Sequence, residues 1–169
     1  LSMADAGQLS LRKERIDLAT LVGDVVDELR PQLQHSKMAL SMELPVQDGD
    51  GSTDIRADAD RMRQIITNLI NNALRHASSG HWLGIRVQTS HNALGEPWVT
   101  LEVSDAGPGL ADDLRAHPFQ RFAQAPGIRR REGSGLGLSI VKALVTSQGG
   151  SVSTGQSERG GALFTVQFP

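Results

Sequence analysis

The chain contains no cysteine, which excludes disulfides, zinc–thiolate sites and thiol nucleophiles and is compatible with a reducing compartment. It has no apolar run near the ~20 residues that a membrane-spanning helix needs, and its first residues do not have the form of a signal peptide. As given, it reads as soluble. It also lacks a strong charge of either sign: 17 Lys and Arg stand against 19 Asp and Glu, a net charge of −2. That leaves no basic field for electrostatic nucleic-acid binding, so any anion site must be local. The 169 residues, 38% of them hydrophobic, suffice for one domain around one core. No internal repeat is present.

Other signatures are missing too. A phosphate loop of the form G-x-x-x-x-G-K-[ST] is absent, as are the catalytic-loop and D-F-G motifs of protein kinases and the H-E-x-x-H metal motif. The five histidines are scattered, and each read alone is structural or solvated.

What is present centres on Asp58 to Ala77, DADRMRQIITNLINNALRHA. At about 100° per residue, Met62, Ile65, Ile66, Leu69, Ile70, Ala73 and Leu74 form one apolar face, while Arg61, Asn68, Asn72 and Arg75 gather opposite it. A solvated face is normally filled with Glu, Lys and Gln. Here Asn68, Asn71 and Asn72 each carry a propensity cost. The helix alone leaves two readings open: a solvated face of poor composition, or a ligand surface.

In chain order, Leu1 to Ser10 reads as the tail of something cut away and Leu11 to Arg15 as a short strand. From Asp17, an expected N-cap, Leu18, Leu21, Val22, Val25, Leu29 and Leu33 recur at helical spacing, and Pro31 is expected to kink or end the helix. Ala39 to Leu44 alternates as a strand closed by Pro45 and a polar loop, Gln47 to Asp54. Asp58 is expected to cap the next helix. Two strands follow, about Trp82 to Thr89 and Trp98 to Ser104; in the second, Val99, Leu101 and Val103 share a face whose parity carries on to Asp105. Asp105 opens Ala106-Gly107-Pro108-Gly109, and an Asp at a tight turn is common in its own right. Leu110 to Ser134 is aperiodic and arginine-rich, as a lid or binding segment would be. It leads into Gly133-Ser134-Gly135-Leu136-Gly137 and a helix stopped at Gly149-Gly150. Glycines entering a helix N-terminus can cradle an anion. No strand precedes them and no acid follows about 20 residues on, so the dinucleotide fingerprint fails. Ser151 to Gly155 and Ala162 to Phe168 read as a hairpin with Ala162, Phe164, Val166 and Phe168 on one face.

These pieces resemble, in order and spacing, the ATP-binding domain of sensor histidine kinases. Asn68 to His76 (NLINNALRH) resembles the asparagine box, Asp105 to Gly109 (DAGPG) the first glycine box and Pro118 to Phe122 (PFQRF) the phenylalanine box. Gly133 to Val141 (GSGLGLSIV) resembles the second glycine box and Gly160 to Phe164 (GGALF) the last. Each box alone is weak, but five in order from Asp58 to Pro169 make chance resemblance improbable. Leu1 to Gln8 resembles the end of a dimerisation helix, so 1–10 is assigned to that remnant and linker and 11–169 to the catalytic domain.

The resemblance implies an α/β (α+β) two-layer sandwich: a mixed sheet of about five strands, three helices on one face and a long ATP lid. It implies ATP and Mg²⁺ as cofactors. Asn72 would ligate Mg²⁺ through its amide oxygen, a neutral hard donor, with Asn68 supporting metal or phosphates. Arg75, in place of the family's lysine, would lie near the phosphates, and Arg121 would reach the γ-phosphate; Asn68, Arg75 and Arg121 form the catalytic set. Asp105 would accept the adenine amine. Gly107 and Gly109 would let the backbone approach the base, beside His76 and Leu110. Gly133, Ser134, Gly135, Leu136, Gly137 and Leu138 would wrap the phosphates, and Phe119 and Phe122 would pack the lid. His76 replaces a usual aromatic and Ala106 a common Asn.

None of His35, His76, His81, His91 or His117 lies in a phosphoacceptor motif, so the acceptor histidine is expected on a separate dimerisation domain, with a response regulator as next partner. The piece is expected to be monomeric, the whole protein a homodimer and a membrane-anchored bacterial receptor with this domain in the cytoplasm. The competing readings are an ATP-hydrolysing or ATP-gated module of the gyrase or chaperone type, and an anti-sigma-type serine kinase. The first would use a Glu to activate water one turn before the metal-binding Asn; this chain has Asn68 there, which cannot act as a base.

Overall fold

The computed structural model of the chain describes residues 10–45, 51–76, 78–110, 116, 118–119 and 137–169. In chain order these form β1 (Lys13–Asp17), α1 (Leu18–His35), β2 (Ala39–Glu43), β3 (Asp54–Asp58), α2 (Ala59–His76), a single 3₁₀ turn (Ser78–Gly80), β4 (Trp82–His91), β5 (Pro97–Asp105), α3 (Gly137–Ser147), β6 (Ser151–Gln156) and β7 (Ala162–Phe168).

The main sheet has five strands in the order β2-β4-β5-β7-β6. β2 runs parallel to β4 and the other neighbours are antiparallel. Alternation in the sequence becomes rows across the sheet: Ile85 faces Val103, which faces Phe164, and Val87 faces Leu101, which faces Val166. These side chains meet the buried faces of the three helices in a single core. The expected mixed sheet of about five strands and the three-helix layer are therefore present. The opposite sheet face is polar, with Arg86 reaching Glu43 at 2.8 Å and Glu102 at 3.5 Å.

Local chemistry sets the element ends. Asp17 caps α1, accepting from Ala19 N–H at 3.2 Å and Thr20 Oγ1 at 2.8 Å and from the Thr53 hydroxyl. Asp58 Oδ1 accepts from Arg61 N–H at 3.2 Å as the cap of α2. At the end of α3, Gly149 takes φ +86°, and Gly150 N–H closes back onto the Val145 carbonyl at 3.0 Å. A non-glycine residue would resist that left-handed turn.

Two expectations are corrected. Pro31 does not end α1, which runs on to His35. Proline deprives the carbonyl of Asp27 of its helical partner, but Asp27 and Pro31 both lie on the exposed side, where water can satisfy it, while Leu29 and Leu33 anchor the helix in the core. The polar loop after Pro45 does not extend through Asp54 either, because Asp54–Asp58 forms β3. That strand pairs antiparallel with β1 in a separate two-stranded sheet, burying Ile55 and Ala57. The short strand expected at Leu11 to Arg15 lies two residues further on, at Lys13–Asp17.

Candidate functional site

The register places the end of β5 beside the last turn of α2. Leu83, three residues after the 3₁₀ turn that leaves α2, pairs with Asp105 in the sheet, so one end of the sandwich collects the close of α2, the close of β5 and the turn between β6 and β7. Gly80 is pressed against the loop after Asp105. A Cβ there would lie 2.8 Å from the Gly107 nitrogen and still closer to the Ala106 carbonyl, so glycine is required for the approach.

Asp105 is buried, with 5% of its surface exposed. Its Oδ1 accepts two main-chain N–H groups, from Gly107 and from Ala162, each at 3.0 Å. Its main-chain carbonyl accepts the Ser157 hydroxyl at 2.5 Å. Among the described residues no hydrogen bond falls on Oδ2, so the carboxylate is fixed through one oxygen and offers the other as an acceptor. Gly109 adopts φ +78°, the conformation its type was chosen for in the glycine-rich turn.

On α2, Asn68 and Asn72 lie one turn apart on the same ridge and are half-buried, with Arg75 and His76 exposed in the last turn. No hydrogen bond among the described residues engages either Asn side chain, so their amide oxygens are open to a ligand. The His76 imidazole is held below its ordinary value of 6.5, first by partial desolvation and then by the neighbouring Arg75 cation, against an opposing pull from Asp105. The shift favours the neutral imidazole.

α3 brings Gly137, exposed at its first turn, and Leu138, which packs against the core. Phe119 also packs against the core, with Lys142 Nζ 5.8 Å from its ring centre. Leu110 follows Gly109, half-buried against the core. Arg121, Phe122, Gly133, Ser134, Gly135 and Leu136 lie outside the described residues.

The donor set bears on what could be held. Among the described residues no three His, Asp or Glu side chains gather around a metal position. The available ligands are amide oxygens, which suit a hard ion that arrives with phosphate oxygens of its own.

The profile of histidine kinase-, DNA gyrase B- and HSP90-like ATPases matches residues 57–169. The chain belongs to this ATPase family. Among its relatives, the sensor histidine kinase TmoS of Ectopseudomonas mendocina is 33% identical over 100% of this chain and 17% of that protein. The signal transduction histidine-protein kinase BaeS of Escherichia coli is likewise 33% identical over 100% of this chain and 34% of its own length. Full-length ShkA, whose structure was solved in complex with AMPPNP, superposes with a TM-score of 0.74 at 30% identity, over 99% of this chain and 33% of that one. The chain thus spans between 17% and 34% of the length of these relatives, and as an ATPase-family domain it matches the catalytic domains of histidine kinases in sequence and fold.

Two features of the ATPase-family site were not found by motif. The bond from Ser157 to the Asp105 carbonyl and the close approach of Gly80 to Ala106 and Gly107 depend on contacts between distant segments. The sequence signal was slight: Ser157 is a small polar residue just before the Glu158–Gly161 turn, at a place where exposure is the default.

Proposed function

We propose that this chain is the ATP-binding catalytic domain of a sensor histidine kinase, which positions ATP·Mg²⁺ for transfer of its γ-phosphoryl group to a histidine on a dimerisation domain outside this chain, for relay to a response-regulator aspartate. The observation that carries this reading is Asn68, one turn before Asn72 on the same half-buried ridge of α2. A module built to hydrolyse ATP needs a base there, and an amide cannot serve. The curated relatives named above, all sensor or signal-transduction histidine kinases, support the same choice over a chaperone-type ATPase or a serine kinase.

Each residue then has a defined task. Asp105 Oδ2 accepts the exocyclic amine of adenine, while guanine would set a keto oxygen against the carboxylate. Asn72, supported by Asn68, supplies an amide oxygen to the magnesium that accompanies the phosphates. Arg75, at the end of the same ridge, places a fixed positive charge near the phosphates. When bound, Mg²⁺ would supply charge neutralisation for the phosphates, and the contribution of Asn68, Asn72 and Arg75 would be positioning. In the full protein we assign the partners as the dimerisation domain and a response regulator, in a membrane-anchored homodimeric receptor.

Calorimetric titration of the chain with ATP, with and without Mg²⁺, tests the site. Asn72→Ala is expected to abolish the Mg²⁺-dependent part of the affinity and leave the melting curve unchanged. A variant that binds ATP·Mg²⁺ like the parent would remove Asn72 from the site.

A further inference from the structure

The β5–β7 ladder ends with Ser104 paired to Leu163. One residue further on the pairing changes character. The Ala162 N–H goes to the Asp105 side chain instead of to a main-chain carbonyl, and the Asp105 carbonyl turns to the hydroxyl of Ser157. Ser157 is buried, with 7% exposure, and its hydroxyl is saturated: it donates to Asp105 and accepts the N–H groups of Arg159 at 3.2 Å and Gly161 at 3.1 Å. The Ser157 N–H also closes the turn onto the Gly161 carbonyl at 2.8 Å. One hydroxyl therefore fixes both the shape of the turn and the last carbonyl of β5.

We infer that Ser157 is a positioning residue for nucleotide selectivity: by clamping the Ser157–Gly161 turn onto the Asp105 main chain, it holds the carboxylate with Oδ1 against the Ala162 N–H and Oδ2 turned toward the base. The inference rests on the reading of Asp105 as the acceptor of the adenine amine. Loss of the hydroxyl leaves a buried carbonyl without its donor and two N–H groups without their acceptor, which is costly unless the turn shifts. A shift moves the Ala162 N–H, and the carboxylate moves with it. Arg159 holds the same turn from outside, its guanidinium 4.3 Å from the Trp82 ring centre. That exposed contact is independent of the carboxylate.

The test is calorimetric titration of the 169-residue chain with ATP and with GTP in excess Mg²⁺, for the parent and for Ser157→Ala, Ser157→Thr, Arg159→Ala and Asp105→Asn, each with a melting curve. Ser157→Ala is expected to weaken ATP about tenfold, the scale of one charge-assisted hydrogen bond, and to leave GTP nearly unchanged. Ser157→Thr, which keeps a hydroxyl, restores the preference for ATP, and Arg159→Ala keeps it. Equal weakening of both nucleotides by Ser157→Ala would reduce Ser157 to a folding role and overturn the inference. So would a preference retained in Ser157→Ala but lost in Asp105→Asn, with the Asp105 reading intact. A preference retained in Asp105→Asn would remove the Asp105 reading, and the inference with it. Should Ser157→Ala not fold, Ser157→Cys, similar in size and a weak donor, carries the same comparison.

Discussion

Gly161 stands against Asp105 so closely that a Cβ on it would lie 2.7 Å from the Asp105 carbonyl carbon. The next residue, Ala162, donates its N–H to Asp105 Oδ1 at 3.0 Å. The absence of a side chain at one position thus lets the main chain reach a carboxylate on another strand. A glycine in a box is usually credited with conformational freedom, but here closeness decides its identity.

Gly161→Ala is therefore expected to push the turn off Asp105, at a cost of about 1–3 kcal/mol from overpacking, and to weaken ATP binding more than it lowers the melting temperature would imply. Thermal unfolding beside calorimetric ATP titration separates the two effects. Parent-like affinity in Gly161→Ala would show that Asp105 tolerates displacement.

Gln148 joins the two helices that flank the site. It is buried, with Oε1 accepting the Asp58 N–H at 2.7 Å and Nε2 donating to the Leu144 carbonyl at 3.0 Å. It thereby ties the start of α2 to the end of α3. Gln148→Leu keeps the volume and strands the Asp58 N–H, so a loss of about 1–3 kcal/mol is expected in urea unfolding. A variant as stable as the parent would mean that the N–H finds water.

Much of the fold was legible in the sequence, and the reason lies in periodicity. Alternation in 99–103 and 162–168 and the apolar stripe of α2 each specify a buried face, and Asp105 was placed inward by parity alone. β3 escaped because Ile55 and Ala57 offer only two inward residues, set between acids that read as loop. Pro31 misled because proline forbids a hydrogen bond only at cost where the freed carbonyl is buried. Of the candidate site, the glycine-rich turn after Asp105 and the asparagine ridge of α2 stood out in the sequence, and their roles came from the resemblance to histidine kinases. Ser157, Gly80 and Gln148 did not stand out, since each acts through a partner tens of residues away.

Asp17 offers a test of linkage. Its burial pushes the carboxyl up, but hydrogen bonds from Thr53, Thr20 and Ala19 together outweigh this and hold it below the ordinary value of 3.8. A depressed carboxylate contributes stability that is present above its unfolded value and is lost as pH falls through the folded one. Asp17→Ala is expected to cost about 1 kcal/mol at neutral pH, as for other N-caps. The gap from the parent should then narrow as pH drops below 3.8. A gap that stays constant in acid would assign the loss to packing instead of charge.

Phosphoryl transfer is tested most directly by mixing the purified chain with the proposed dimerisation domain and ATP labelled at the γ-phosphate, then challenging any labelled protein with acid and with base. Asn68 offers no base for water, so the chain alone should bind ATP·Mg²⁺ with neither self-labelling nor rapid phosphate release. The mixture should label the dimerisation domain with an acid-labile, base-stable phosphoramidate. An acid-stable seryl phosphate, a base-labile aspartyl phosphate, or fast phosphate release by the chain alone would contradict the histidine-kinase assignment.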